Sequence, residues 1–261
     1  MNDFSFKVVI PARFDSSRLP GKVLLDIGGK PMLEHVYQRA IECGADEIIV
    51  ATDNEKVLQV AQDFGANVCM TRSDHRSGTD RIAEVCEQLQ WSDDTIVVNL
   101  QGDEPLINPV LLSQVAQDLQ NHPQVAMSTL CTAITSYTEL FDPNVVKVVL
   151  DKNHCALYFS RAATPWKRDE FIDIAQLKNS SASIAGDFFR HVGIYCYRAS
   201  FLNAYSQLQP CAIEEAEALE QLRALWHGYK IYVSVTDEPP GHGVDTQQDL
   251  QKVIDVLRLK K

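Results

Sequence analysis

The chain has 261 residues, 45% of them hydrophobic and 23% charged, which excludes a disordered, collagen-like or disulfide-scaffold protein and allows one large domain or two small ones. A formal net charge of −11 argues against a partner held through a nucleic-acid backbone. The seven cysteines are scattered and contain no C-x-x-C pair, so they read as small buried hydrophobes in a reducing compartment rather than as a zinc or disulfide framework.

In chain order, FKVVI (6–10) is a short apolar run ending at Pro11, the pattern of a buried strand. No basic leader with an apolar core precedes it, and no apolar stretch is long enough to span a bilayer, so a soluble cytoplasmic protein without a membrane partner is expected. The turn-rich segment ARFDSSRLPGK follows, then a second predicted strand, VLLDI (23–27), and the pair Gly28-Gly29. PMLEHVYQRAIEC reads as a helix from Pro31 to its stop at Gly44. EIIVAT (47–52) is strand-like, and Asp53 or Asn54 caps EKVLQVAQDF. NVCM (67–70), a helix near TDRIAEVCEQL, the strand TIVVNL (95–100), a helix over 109–120 and a strand over 126–132 continue the alternation. Strands alternating with helices give βαβ units and a mostly parallel sheet covered on both faces.

After about residue 145 the texture changes: VKVVL, ALYFS and VGIYCYR are strand-like with less helix between them, predicting an antiparallel insertion. Residues 167–187 are polar and irregular. AIEEAEALEQLRALWHG reads as one amphipathic helix with Ile213, Ala216, Leu219, Leu222 and Trp226 on a single stripe. IYVSVT and a last helix from Thr246 close a fold expected to be one domain, 1–261. Residues 1–145 and 146–240 are expected as its two lobes, and 241–261 as its closing loop and helix.

Chemistry concentrates in a few segments. Pro11-Ala12-Arg13 through Lys22 directly follows the first strand, where α/β sheets bind ligands beyond their carboxyl ends. Arg13, Arg18 and Lys22 suit a triphosphate, although the loop is neither a P-loop nor a G-x-G-x-x-G, and a solvated turn is the plain alternative. Asp103, in QGDEP, reads either as a turn residue or as a Mg²⁺ carboxylate past a strand end. Asp245, in GHGVDT, reads as a second such carboxylate or as a helix cap. The segment TRSDHRSGTDR (71–81) could simply cap a helix. Arg161, His191, Glu220 and Gln221 are polar positions within the apolar second half. His191 fits equally a hydrogen-bonded core histidine, and Arg190 should face the opposite side of its strand.

Taken in order, PARFDSSRLPGK, TRSDHRSGTDR, QGDEP and GHGVDT resemble the motifs of the 3-deoxy-manno-octulosonate (Kdo) cytidylyltransferases, with Phe14-Asp15 where that family usually has Tyr-Ala and Val23 where it has Pro. The resemblance implies the Rossmann-like fold of nucleotide-diphospho-sugar transferases and transfer of CMP from CTP to Kdo for lipopolysaccharide assembly. It also implies a Mg²⁺ cofactor on Asp103 and Asp245 and a homodimer, with residues 1–145 mainly nucleotide-binding, 146–240 mainly sugar-binding and dimerising, and 241–261 closing the metal site. Nucleotide contacts pass to Pro11, Ala12, Arg13, Arg18, Lys22, Arg72, Ser77 and Gly78. Sugar contacts pass to Arg81, Gln101, Arg161, His191, Tyr195, Glu220 and Gln221. Arg13, Lys22, Asp103 and Asp245 become the catalytic set. Another acid sugar (8-amino-Kdo or a sialic acid) and a non-catalytic nucleotide-binding module are the competing readings.

Overall fold

A computed structural model describes residues 4–14, 19–75, 77–179, 183–184 and 186–259. The chain folds into two compact units, one of residues 1–121, 194–207 and 239–261, the other of residues 122–193 and 208–238.

In the first unit the run KVVIP (Lys7–Pro11) pairs in parallel with Glu47–Thr52 on one side and Ile96–Asn99 on the other, and Glu47–Thr52 pairs in parallel with Asn67–Met70. Lys7–Pro11, Glu47–Thr52 and Ile96–Asn99 are almost entirely buried, which their β-branched runs anticipate, while Asn67–Met70, at the end of the sheet, buries Cys69 alone. Helices Met32–Glu42, Glu55–Asp63 and Gly78–Gln88 form the crossovers, and Pro109–Asn121 follows the strand Ile96–Asn99. The Asn54 side chain caps the second helix by accepting from Lys56 N–H at 2.9 Å, and Ser77 caps the third. Because Lys7–Pro11 is flanked by strands reached in opposite directions, the loops after Pro11 and Asn99 leave neighbouring strand ends, the usual ligand position in such sheets. Residues 195–198 add an antiparallel strand, with Tyr195 opposite Asn99. The final helix, Gln247–Leu259, buries Leu250 and Val253 against Ile27, Met32 and Val244.

VLLDI is not one strand. Lys22–Leu24 is a single 3₁₀ turn entered through Gly21 at φ +67°, and Asp26–Ile27 makes a two-residue hairpin with Lys30–Pro31 around Gly28-Gly29. The i→i+3 bonds from Leu24 N–H to Gly21 and Leu25 N–H to Lys22 tighten the chain before an extended run can form.

The second unit pairs Met127–Ala133 in parallel with Ile231–Val235. Its antiparallel part runs from Phe189-Arg190 to Lys147–Leu150 and on to Ala156–Ser160. Within the polar segment expected to be irregular, Phe171 is buried among Tyr137, Phe141, Trp166 and Phe188, and Ile174–Lys178 is a short helix.

The expected long amphipathic helix is two helices, Ala212–Glu217 and Gln221–Trp226, separated by Ala218 in the left-handed region at φ +51°. The stripe fails with it: Trp226 is 60% exposed while Glu214 is buried. Glu214 takes a two-pronged bond from Arg223, at 2.8 Å from Nε and 2.5 Å from Nη2, which closes the break.

Candidate active site

The loops after Pro11 and Asn99 approach backbone to backbone. Ala12 N–H still donates to Ala51 at 2.8 Å and Leu100 N–H to Val9 at 3.0 Å, so both loops leave from a rigid sheet. A Cβ on Gly102 would lie 3.0 Å from the Pro11 carbonyl oxygen, so glycine permits the approach. Gly78, the first residue of its helix, faces the Pro11 ring, and the Gln101 amide lies just beyond, bonded to Asn99 Oδ1 at 3.0 Å. Pro11, Gly78, Gln101 and Gly102 therefore meet at one place. Arg13 is exposed beside it, and Arg18 lies outside the described residues.

At the rim of these loops Lys22, Asp103 and Asp245 come together from three distant parts of the chain. The Lys22 ammonium is ion-paired with Asp103, and lies 3.2 Å from Asp245 Oδ1 and 3.2 Å from the Val244 carbonyl. Burial pulls the lysine pKa down, but the two carboxylates outweigh it and hold the ammonium above its ordinary value. Two backbone contacts seat the segment that carries Asp245. Val244 N–H donates to the Asp103 carbonyl at 2.8 Å, and Gly241, at φ +93°, presses so close to Leu106 that a Cβ there would fall 2.4 Å from its carbonyl oxygen. Glu104, the next residue after Asp103, lies against Gly243. Burial first, then the neighbouring Asp103 and Asp245 charges, push its carboxyl up to about 8. Two carboxylates and a backbone carbonyl form an all-oxygen donor set of the kind Mg²⁺ takes. No group of three or more His, Cys, Asp or Glu suited to a metal occurs among the described residues, so phosphate oxygens and water would complete a Mg²⁺ shell there.

Along 71–81, Arg72 is exposed and 3.4 Å from Asp74, and Ser77 Oγ bonds Asp80, donating to its carboxylate at 2.9 Å. Arg81 is fully buried. Its guanidinium pairs with Asp53 at 2.7 Å and bonds the Thr71 hydroxyl, so it braces the base of this loop from beneath. His75 and Glu84 form a second brace. Although burial opposes it, hydrogen bonds from His75 and the Arg72 N–H hold the Glu84 carboxyl below the usual range.

The second unit carries the remaining candidates. Arg161 Nε donates to the Glu217 carbonyl at 2.7 Å and Nη1 to the Pro143 carbonyl at 3.2 Å. His191 Nε2 lies 3.0 Å from the Thr129 hydroxyl with its ring edge-on to Phe159, and burial pushes its pKa down to about 3, so it is neutral. Arg190 faces the other way, exposed and 3.4 Å from Glu139. Gln221 is buried, and its Nε2 has no hydrogen-bond partner among the described residues, while Glu220 beside it is exposed. In the first unit, Tyr195 sits on the strand beside Asn99. Sequence reasoning missed Glu217 and Lys147. The one polar position inside the run VVKVVL was the available signal for the lysine.

A family model described as cytidylyltransferase matches residues 7–231. The chain is 53% identical over 253 residues to a 3-deoxy-manno-octulosonate cytidylyltransferase of Histophilus somni, covering 97% of this chain and 98% of that protein. A protein of the same name from Coxiella burnetii is 53% identical over 248 residues, covering 95% and 98%. Among solved structures, a CMP:2-keto-3-deoxy-manno-octonic acid synthetase complexed with CTP is 44% identical with a TM-score of 0.87, covering 98% of this chain and all of the other. A glucose-1-phosphate thymidylyltransferase of Bacillus anthracis, at 18% identity and TM-score 0.62, shares the fold, covering 97% of this chain and 96% of that one.

Proposed function

This chain belongs to the cytidylyltransferases, and from that premise we propose that it transfers CMP from CTP to the anomeric hydroxyl of Kdo, releasing pyrophosphate. The observation that carries the reading is the convergence of Lys22, Asp103 and Asp245 at loops that leave adjacent strand ends.

Lys22 and Arg13 bind the triphosphate. In the free protein the Lys22 ammonium offsets the two carboxylates. With nucleotide present it is placed to turn to phosphate oxygens, releasing Asp103 and Asp245 to hold Mg²⁺. When bound there, Mg²⁺ neutralises charge on the phosphates and makes the sugar hydroxyl more acidic. Arg18 and Arg72 supply further positive charge to the nucleotide, and the backbone at Ala12, Ser77 and Gly78 shapes its seat. Arg161 binds the sugar carboxylate. Neutral His191, Gln221 and Glu220 orient its hydroxyls, and Gln101, Tyr195 and Arg81 fix their own elements within the first unit. The sugar oxygen then attacks the α-phosphorus opposite the leaving pyrophosphate, so catalysis is chiefly positioning and charge stabilisation. The buried Gln221 Nε2, without a hydrogen-bond partner among the described residues, supports a ligand in the second unit.

We extend the reading to a homodimer in a reducing cytoplasm. The exposed apolar side chains Leu157 and Trp226, 61% and 60% accessible, support a subunit contact on the second unit, and the free cysteines support the compartment. No described helix is long and apolar enough to cross a membrane. Light scattering tests the dimer.

The activity is tested by pyrophosphate release with Mg²⁺, CTP and a panel of Kdo, 8-amino-Kdo and N-acetylneuraminate. Release with Kdo is expected. Preference for the 8-amino sugar would change the substrate, and silence with CTP bound would leave a non-catalytic nucleotide-binding module.

A further inference from the structure

Lys147 is a fully buried cation to which the reaction just described gives no part. Its Nζ donates to three backbone carbonyls: Asp142 at 2.9 Å, Val145 at 2.6 Å and Arg161 at 2.6 Å. These three bonds use every donor of the ammonium, and all three acceptors are neutral. The turn 142–145 thus points the carbonyls of Asp142 and Val145 at Lys147 and that of Pro143 at the Arg161 guanidinium. Two cations grip the same turn, and Lys147 also grips the backbone of Arg161 itself.

The carboxylates that act on Lys147 through space are engaged elsewhere. Asp142 accepts from Asn144 at 2.8 Å, and Glu217 accepts from Ser160 Oγ at 2.7 Å and Arg161 N–H at 2.9 Å. Removing a cation from water without a directly paired anion is costly, and three carbonyl bonds offset that cost here while tying Lys147 to the turn and to the backbone of Arg161. His191, whose N–H donates to Val146 next to Lys147, is neutral and adds no charge.

We propose that Lys147 is a positioning and specificity-determining residue for the acid sugar: it fixes Arg161 from behind and adds its own charge to the platform that receives the sugar carboxylate. The inference rests on the reading that Kdo binds at Arg161. It deepens that reading by assigning the choice of an anionic sugar to two cations instead of one.

The test measures binding of Kdo and of its carboxamide to the Mg²⁺-loaded protein with a non-reacting CTP analogue, for wild type and Lys147→Gln. Glutamine removes the charge and keeps two donors for the carbonyls. The expected result is at least a tenfold loss for Kdo, less than threefold for the carboxamide, and unchanged affinity for the CTP analogue. Equal losses for the two sugars, or no loss, would reduce Lys147 to a structural residue and overturn the proposal. Should the variant not fold, the lysine ¹⁵Nζ spectrum of the wild type decides. A shift of the Lys147 resonance with Kdo and none with the carboxamide is expected, and the same response to both overturns it. Wild-type protein that binds neither sugar would instead overturn the substrate reading beneath the inference.

Discussion

Lys22 and Lys147 are both withdrawn from water, one in each unit, and their surroundings differ in kind. Lys22 lies between carboxylates of Asp103 and Asp245, which hold its pKa up against burial. Among the described residues the Lys147 ammonium bonds three carbonyls, and burial, with Arg161 adding to it, pulls its pKa down against the pull of Asp142 and Glu217. The first arrangement sets one ammonium against two carboxylates in the free protein and becomes available by exchange, suiting a ligand that brings both phosphates and a metal. The second holds its charge on neutral carbonyls, with Asp142 and Glu217 acting only through space, suiting a carboxylate that arrives alone. The comparison teaches that in an acidic chain, the partners of a buried lysine say more about its ligand than its exposure does.

The sharpest way to break this contrast is at the carboxylate-bound lysine. Asp103→Asn should lower turnover on the order of 10³-fold even at saturating Mg²⁺, as expected when the carboxylate that would hold the charge-stabilising metal is lost. Retained turnover in a steady-state assay would remove Asp103 from the reaction. Gly241→Ala tests how Asp245 is placed, since a methyl there meets the Leu106 carbonyl and the residue needs positive φ. It should raise the Mg²⁺ concentration needed for half-activation by roughly 10–100-fold, the usual cost of disturbing the support of a metal ligand. An unchanged Mg²⁺ titration would mean that the loop relaxes freely.

In the second unit the effects are on stability. His191 has a folded pKa near 3 against an unfolded value of 6.5, so the unfolded state takes up its proton first as pH falls. Stability is therefore fully present above about pH 6.5 and falls by about 1.4 kcal/mol per pH unit as the pH drops towards 3. His191→Gln should flatten that limb in urea titrations at pH 7, 6 and 5, and an unchanged slope would assign the loss to other groups. The smallest effect is at Ala218. Its left-handed backbone is strained for any residue with a Cβ, so Ala218→Gly should stabilise the fold by about 1 kcal/mol in thermal unfolding.

Much of the first unit was legible because its central strands are apolar runs buried on both faces and its helices carry local caps such as Asn54 and Ser77. VLLDI misled because an apolar run of that length fits a strand, while the turn at Gly21 is decided by the chain around it. The split at Ala218 was hidden for a different reason. The residues that break the helix act across distance: Arg161 bonds the Glu217 carbonyl and Arg223 draws Glu214 inward. Arg81 reads as a site residue in its motif, yet its burial against Asp53, 28 residues earlier, has no local signature. Lys147 looks like an ordinary strand interruption until the carbonyls around it are seen.

The central claim is attack by the sugar's anomeric oxygen on the α-phosphorus of CTP. It is tested most directly with Kdo labelled by ¹⁸O at that hydroxyl, following the label by mass spectrometry after one turnover with Mg²⁺ and CTP. The account expects the label in CMP-Kdo, bridging sugar and phosphorus, with unlabelled pyrophosphate. Label in pyrophosphate, or hydrolysis of CTP without a labelled CMP-sugar, would contradict it.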